Sequence, residues 1–201
     1  AELFNYLTGC GKQTAYRKLL VAPGSLRARL LEEIERERKR GGDGRIAIKV
    51  NGLADGPLID ALYEASQEGV EIDLLVRGVC CLRPGVPGLS DTIRVRSIVG
   101  PFLEHSRIYR FGRGADARHY VGSADLMPRN LEGRVEVVVP VEAPPLAARI
   151  DEILELCLAD DVLAWELDAG GAWYRAARRA GVAAQDELVR RAAARGRMES
   201  A

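Results

Sequence analysis

The sequence predicts an α/β fold in which a mixed β-sheet is flanked by helices. A strand at Arg45–Val50, a helix opening at Pro57 and a strand at Val70–Val76 follow one another, which is the pattern of two parallel strands joined by a helix. Farther on, residues 107–122 read as two strands closed by a glycine turn, which predicts an antiparallel hairpin. The hydrophobic content of 47% over 201 residues is enough for one real core.

The segment before the sheet is predicted to connect this fold to something else. Its apolar anchors are Phe4, Tyr6, Leu7 and the run Leu19–Val21. The chain starts without an initiator methionine and in what reads as the middle of a helix, so we expect a fragment of a longer protein.

The first helix is predicted to begin after Ser25, which is a plausible N-cap. Leu26, Leu30 and Ile34 recur at helical spacing, and the pattern ends at the glycines 41–42. The other face is rich in Glu and Arg, so we expect it to be solvated and crossed by ion pairs four residues apart.

Polar residues stand where the two parallel strands end. Asn51 follows the first strand, Arg77 follows the second, and Lys49 is the next-to-last residue of the first. In open α/β sheets, ligands bind beyond the carboxyl ends of such strands. Arg77 there needs an anionic ligand or a structural carboxylate, and Lys49 either binds phosphate or extends to the surface; the sequence leaves both alternatives open.

The remaining elements are shorter. The alternation at Ile93–Ile98 predicts a strand whose arginines share one face. Nothing in the Ala- and Arg-rich tail suggests chemistry. In order, we predict a turn-rich loop over 78–90, strands over 93–98, 107–111, 119–122 and 135–141, a helix from Pro144 to about Ala159, and a short peripheral helix over 184–197.

Local charge predicts a phosphate or polyanion site. The chain has no net charge, yet residues 77–134 hold ten arginines against five acids. His105 and Arg107 lie on one apparent strand, with Arg94 and Arg96 predicted on the neighbouring strand. Arginine matches phosphate oxygens with forked donors, and histidine can transfer a proton near neutral pH.

A second motif, Gly-Ser-Ala-Asp at residues 122–125, strengthens the case for His105. Together they are similar to the phosphodiesterase arrangement His-x-Lys followed by Gly-Ser-x-Asn. Arg107 replaces the lysine and Asp125 replaces the asparagine, which puts nucleophilic attack by His105 itself in question. His119 has no such neighbours and is predicted to be a surface residue.

Other classes of protein are disfavoured. No apolar run approaches the roughly 18 residues of a membrane span, and we expect no signal peptide, because the sequence lacks a basic start followed by an apolar stretch. The four cysteines lack the spacing of zinc ligands and are predicted to be reduced thiols in a cytosolic protein.

Several longer stretches resemble the C-terminal part of bacterial polyphosphate kinase, with nearly no gaps from Phe4 to about Ala164. They are Phe4–Gly9, Tyr16–Pro23, Leu62–Gln67, Val76–Gly85, Ile93–Gly100, Phe102–Arg107 and Gly122–Asn130. The resemblance implies a phospholipase-D-like fold. It divides the chain into the end of a preceding catalytic domain with its connector (1–23), a C-terminal phospholipase-D-like domain (24–164) and a variable tail (165–201).

The resemblance also implies an activity. Polyphosphate kinases reversibly transfer the γ-phosphate of ATP to inorganic polyphosphate with Mg²⁺, through a phosphohistidine. That histidine and the Mg²⁺ ligands are implied to lie upstream, so we expect no metal ligand in this chain and no activity from it alone. ATP, ADP and polyphosphate are the expected partners, in a homo-oligomer of the full-length enzyme. The expected location is cytoplasmic, with peripheral association at the inner membrane face left open.

The resemblance assigns only some of the family's site residues to positions in this sequence. Arg77 matches a phosphate contact to ATP, and His105 matches the second active-site histidine, which is implied to bind phosphate and protonate the leaving or entering oxygen. Supporting roles are predicted for Lys49, Asn51, Arg107, Ser123, Asp125 and Arg129.

Two alternatives remain at this stage. One is a non-catalytic module that binds polyanions; nucleic acid is disfavoured because the arginine cluster lacks interleaved aromatic residues. The other is a phospholipase-D-like phosphodiesterase that acts as a dimer.

Overall fold

The computed structural model of the chain describes residues 16–199, together with Phe4 and Thr8. Tyr6 and Leu7, two of the predicted anchors, lie outside the described residues. The strands are β1 Leu20–Ala22, β2 Arg45–Val50, β3 Glu71–Val76, β4 Ile93–Ile98, β5 Arg107–Phe111, β6 Arg118–Gly122, β7 Glu136–Val141, β8 Ala164–Leu167 and β9 Trp173–Arg175. The helices of the described part are α1 Leu26–Arg38, α2 Gly56–Gln67, α3 Pro128–Glu132, α4 Pro144–Ala159 and α5 Ala184–Glu199.

One mixed sheet contains all nine of these strands, in the order β1-β7-β6-β5-β2-β3-β4-β8-β9. The central strands β2, β3 and β4 are parallel, and β5, β6 and β7 extend the sheet in antiparallel pairs. The predicted parallel unit and the predicted hairpin are both confirmed. β2 and β3 are buried on both faces, which is why their sequences are nearly continuous apolar runs.

Helices cover both faces of the sheet. Ile46 and Ile48 of β2 join the core formed with α1 and α2, whereas Ala47 joins a second core formed with α4. Successive strand residues point to opposite faces, so one strand serves both cores. Burying each large aliphatic side chain of this kind stabilises the fold by about 1.5–3 kcal/mol.

The predicted start of α1 after Ser25 is confirmed, whereas the expectation of a fully solvated charged face is wrong. Ser25 stands before α1, but its hydroxyl makes no cap and accepts a bond from the amide of Val21 at 3.4 Å. The charged face is not fully solvated, because Glu33 and Glu37 are buried. Both carboxylates receive bonds from Arg118, at 2.6 and 2.8 Å, because β6 brings this arginine beneath the helix.

His119 is not a surface residue. Its side chain is buried, and its Nε2 lies 2.8 Å from Oδ1 of Asp151 on α4. Arg110 places its Nε 2.8 Å from the same oxygen. The prediction failed because the sequence does not show that α4 packs over this hairpin.

The tail joins the fold. β8 pairs with β4, β9 pairs with β8, and the helix predicted over 184–197 is α5. The sequence predicts a peripheral helix here, but its first two residues, Ala184 and Gln185, are buried. No helix in the described part of the chain is long and apolar enough to cross a membrane.

The cysteines that the structure describes, Cys80, Cys81 and Cys157, are free thiols, as predicted. Burial raises the pKa of the Cys157 thiol to about 12, so this residue is an unreactive member of the core. Cys10 lies outside the described residues.

Candidate functional site

The candidate site lies at the sheet edge where β2, β3, β4 and β6 end and β5 begins. Backbone bonds join the loops that leave these strands: the amide of Leu53 donates to Val79 O at 2.8 Å, and the amide of Leu126 donates to Gly52 O at 3.0 Å. The loops after β2, β3 and β6 are thereby laid side by side. This arrangement confirms the prediction that the carboxyl ends of the parallel strands meet at one edge.

His105 lies in the segment before β5, and the strand itself begins only at Arg107. The ring of His105 is exposed, and Nη1 of Arg107 lies 2.9 Å from its Nδ1 and donates to its carbonyl oxygen at 2.9 Å. Because a guanidinium only donates, Nδ1 acts as the acceptor. With Nδ1, the closer ring nitrogen, as the acceptor, a neutral His105 carries its proton on Nε2, which lies 3.4 Å from the same Nη1 and can donate a hydrogen bond to a ligand.

Asp125 holds Arg107 in this position. Its two carboxylate oxygens accept from Nε and Nη2 of Arg107, each at 3.2 Å. The same carboxylate accepts from the backbone amide of Asn51 at 2.7 Å and from its side-chain amide at 3.1 Å. Asn51 and Asp125 are both buried, so this network ties the ends of β2 and β6 to the histidine.

Tyr109 supports the segment that contains Asp125. Its buried hydroxyl donates to the carbonyl of Ala124 at 2.6 Å. Burial raises the pKa of Tyr109 well above its usual range, so the phenol stays protonated and remains a donor.

Lys49 is buried and does not extend to the surface. Its ammonium lies 2.7 Å from Oε2 of Glu104 and donates to Oγ of Ser106 at 2.9 Å. The positive charge is therefore neutralised within the protein. What Lys49 does here is fix the residues on either side of His105.

Arg77 is the predicted site arginine that keeps donors available. It is half-buried at the end of β3, and its Nη1 donates to the carbonyl of Glu104 at 3.2 Å. Among the residues that the structure describes, no carboxylate pairs with it, so the structural ion pair left open by the sequence is not formed. Its guanidinium therefore remains able to bind an anion.

The bonds of Ser123 go to β7, and Arg129 lies on α3. The hydroxyl of Ser123 bonds to Glu136 on β7 and accepts the amide of Val137 at 3.2 Å, while Arg129 is exposed on α3. Gly122, which starts this motif, is required by the neighbouring strand, because a Cβ here would lie 2.4 Å from the carbonyl oxygen of Val137. Gly122 and Ser123 of this motif therefore have structural roles, in addition to the ion pair that Asp125 makes.

The arginine excess does not form one phosphate cluster. Arg94 and Arg96 lie on β4, which β2 and β3 separate from β5, so the predicted neighbourhood is wrong. Carboxylates bind six of the ten arginines, several from outside the segment that was counted: Arg94, Arg96, Arg107, Arg110, Arg113 and Arg118. Counting charged residues over 77–134 cannot identify these carboxylates, because several of them lie outside that segment.

Comparisons with known proteins identify the family of this chain. Residues 19–185 match the family model described as polyphosphate kinase C-terminal domain 2. The chain belongs to the polyphosphate kinase family. It is 54% identical over 176 residues to a polyphosphate kinase of Thermosynechococcus vestitus, covering 86% of this chain and 24% of that protein. With polyphosphate kinase 1 of Chlorobaculum tepidum the identity is 53% over 177 residues, covering 86% and 25%.

Solved structures give the same assignment. The polyphosphate kinase of Porphyromonas gingivalis superposes with a TM-score of 0.91 at 39% identity, over 100% of this chain and 31% of that one. Nuc of Salmonella typhimurium, a phospholipase D family member, superposes with a TM-score of 0.54 at 16% identity, over 75% of this chain and 97% of Nuc. The second match shows the fold alone and confirms the phospholipase-D-like prediction. The chain spans about a quarter of the length of its polyphosphate kinase relatives.

Over residues 16–199, with Phe4 and Thr8, no three His, Cys, Asp or Glu side chains converge as metal ligands do. The carboxylates nearest His105, those of Glu104 and Asp125, are each already held by a cation.

Sequence reasoning missed two residues of this edge. Glu104 was counted only as one acid of the arginine-rich segment, although its position beside His105 was a usable signal. Gln185 reaches the same segment from α5, 81 residues beyond Glu104, and gave no signal at all.

Proposed function

We propose that this chain supplies one half of the active site of a polyphosphate kinase that reversibly transfers the γ-phosphate of ATP to inorganic polyphosphate. The observation that carries the proposal is the pairing of an exposed His105, whose ring and carbonyl contact Arg107, with an Arg77 that has no carboxylate partner among the described residues. Family membership supports the choice of substrate, because the relatives are named polyphosphate kinase.

The two residues have different roles in this proposal. Arg77 binds phosphate oxygens of ATP with its free guanidinium donors. His105 enters the step as an imidazolium, transfers its Nε2 proton to the oxygen that leaves phosphorus, and becomes neutral. A histidine of the upstream domain attacks: its bond to the γ-phosphorus forms as the bond to the departing oxygen of ADP breaks. In the second half, a terminal oxygen of polyphosphate attacks the phosphorus of the phosphohistidine, and the new P–O bond forms as the P–N bond to the upstream histidine breaks. Placing and neutralising phosphate supplies most of the catalysis in such transfers.

Arg107 and Asp125 act through His105. The guanidinium contacts the ring of His105 and donates to its carbonyl oxygen, which fixes the orientation of the histidine, and the carboxylate of Asp125 holds the guanidinium in place. Such supporting contacts set both the orientation and the tautomer of a working histidine.

The remaining parts of the enzyme are proposed to lie outside this chain. The ligands of Mg²⁺ are proposed to lie in the upstream domain, and no step above depends on the ion. A homo-oligomer in the cytoplasm is the proposed form of the full-length enzyme.

A phosphodiesterase that acts as a dimer is the second candidate, favoured by the fold likeness to Nuc. In that reaction His105 would attack phosphorus itself. Nη1 of Arg107 lies 2.9 Å from Nδ1 and 3.4 Å from Nε2, and a ring nitrogen that accepts a hydrogen bond from it has no free lone pair with which to attack phosphorus.

Replacing Arg77 by alanine in the full-length enzyme is expected to raise the KM for ATP or lower kcat, with a combined loss in kcat/KM of about 10- to 150-fold. This corresponds to one charge-assisted contact of about 1.5–3 kcal/mol. The measurement is the rate of polyphosphate formation at varied ATP. Arg83→Ala is the matched control, because Arg83 is an exposed arginine that bonds to the carbonyl of Ala169.

Thermal unfolding of the same variants separates binding from folding. Arg77→Ala should melt close to the wild type, since it removes a single bond to a backbone carbonyl. Retained activity together with a collapse in melting temperature would show that Arg77 is structural, and would remove it from the site.

A further inference from the structure

Gln185, at the start of α5, is bound to the loop that carries His105. We call residues 100–106 the histidine segment. The side-chain oxygen of Gln185 accepts from the amide of Phe102 at 3.0 Å, and its nitrogen donates to the carbonyl of Phe102 at 2.8 Å. The same nitrogen donates to Oε1 of Glu104 at 2.8 Å. One amide thus makes three bonds to a single short segment.

Glu104 passes this restraint on to the site. While Oε1 accepts from Gln185, Oε2 lies 2.7 Å from the ammonium of Lys49, and the backbone carbonyl accepts from Arg77 at 3.2 Å. Glu104 is also the residue directly before His105. Its position therefore affects both residues that are proposed to contact phosphate.

Gln185 is itself fixed. One oxygen of the fully buried Asp160 accepts from the amide of Ala184 at 2.7 Å, and the other accepts from the amides of residues 162–164 at 2.7–3.0 Å. The backbone at Gly100 passes so close that a Cβ there would lie 2.4 Å from the side-chain oxygen of Gln185. The start of α5 and the histidine segment therefore fit tightly.

The histidine segment depends on hydrogen bonds and an ion pair because its apolar side chains pack weakly against the rest of the chain. Phe102 is 57% exposed and Leu103 is 75% exposed, so the side chains of the histidine segment bury little surface in this chain. The restraint comes from the bonds of Gln185, Lys49 and Arg77 to its backbone and to Glu104.

We propose that Gln185 is a positioning residue that sets the histidine segment, and through it His105 and Arg77, for phosphate binding. Its effect on catalysis rests on the proposed function, but its effect on the conformation of the segment does not. A glutamine suits this role because it must accept from one backbone amide and donate to a carbonyl and a carboxylate at once.

The chain contains only two histidines, which makes the test direct. Imidazole ¹H–¹³C NMR spectra of the 201-residue chain report on His105 at the site and on His119 as an internal reference. Gln185→Glu keeps the size and the acceptor for Phe102, but it places a carboxylate against Glu104 and removes both donated bonds. We expect the His105 cross-peaks to shift and broaden while those of His119 stay in place.

Two further variants test whether the shift of the His105 cross-peaks comes from the loss of the Gln185 bonds. Gly100→Ala displaces the side chain of Gln185 without altering it, and should give the same His105 signature. Gln67→Glu is the matched control, because Gln67 makes one bond of 3.1 Å to the carbonyl of Gly88 in an exposed loop away from the site. It should leave both histidines unchanged.

The functional consequence is measured in the full-length enzyme. Gln185→Glu should lower kcat/KM for ATP by about tenfold, the equivalent of one charge-assisted hydrogen bond, while Gln67→Glu should not. A drop in kcat together with a rise in KM is expected, since the segment serves both His105 and Arg77.

Each outcome has a definite meaning. Unchanged His105 cross-peaks in both Gln185→Glu and Gly100→Ala would overturn the proposal. Displacement of the His119 cross-peaks as well would show that Gln185 holds the whole fold, and would overturn it too. In the wild type, ATP or tripolyphosphate should shift the His105 cross-peaks. A lack of response there contradicts the proposed function and leaves the structural role of Gln185 standing.

Discussion

Replacing His105 by alanine in the full-length enzyme is expected to slow polyphosphate formation by about 10²–10⁴-fold, the usual worth of general acid–base catalysis. The reason is that the exposed Nε2–H of His105 is lost, while the Arg107–Asp125 network that held the ring remains. The measurement is the initial rate of polyphosphate synthesis from ATP. Formation of the upstream phosphohistidine should slow as well, because it needs the same departing oxygen to be protonated.

Glutamine at position 105 separates proton transfer from binding. It keeps a hydrogen-bond donor but cannot transfer a proton, so His105→Gln should be nearly as slow as the alanine variant. His119→Gln is the control, because the amide can keep the bond to Asp151 away from the site. Near-normal rates with His105→Gln would mean that His105 only binds phosphate. Near-normal rates with both His105 variants would move the active centre elsewhere.

Replacing Asp125 by alanine should destabilise the 201-residue chain by about 3–5 kcal/mol, the typical cost of removing one partner from a buried ion pair. The change leaves the Arg107 guanidinium, whose side chain is only 13% exposed, without its carboxylate. It also removes the acceptor of the buried Asn51 amide. Denaturant-induced unfolding at equilibrium measures the loss.

Asp91→Ala is the matched comparison for Asp125. Asp91 also accepts a backbone amide, that of Gly88 at 2.7 Å, but it does so in an exposed turn. Its loss should cost about 0.5–1.5 kcal/mol, the net worth of an ordinary hydrogen bond. If Asp125→Ala cost no more than Asp91→Ala, the network behind His105 would not be the buried anchor described above.

Local patterns explain why the fold and the site edge could be predicted. The apolar runs of β2 and β3 and the helix between them lie within about 30 residues of sequence, and such units pair in parallel with few alternatives. Once β2 and β3 are adjacent, Asn51 and Arg77 must lie at the same edge. The hairpin followed for the same reason, since its turn glycines stand between its two strands.

Long-range packing explains what could not be predicted. The burial of Glu33 and His119 depends on which hairpin or helix packs against them, and the position of Arg94 depends on the strand order. Counting charges along the sequence wrongly predicted an arginine cluster for the same reason: most of the acids that neutralise these arginines come from outside the counted segment. Gln185 contacts the histidine segment across more than 80 residues, so no local pattern could mark it.

The position of the covalent phosphate tests the central claim most directly. The full-length enzyme and the 201-residue chain are each incubated with Mg²⁺ and γ-labelled ATP, quenched in alkali, and mapped by mass spectrometry for acid-labile phosphohistidine. We predict a phosphohistidine upstream of this chain in the full-length enzyme, and no label on the 201-residue chain. Stoichiometric phosphohistidine at His105 would contradict the account, because it would make His105 the nucleophile.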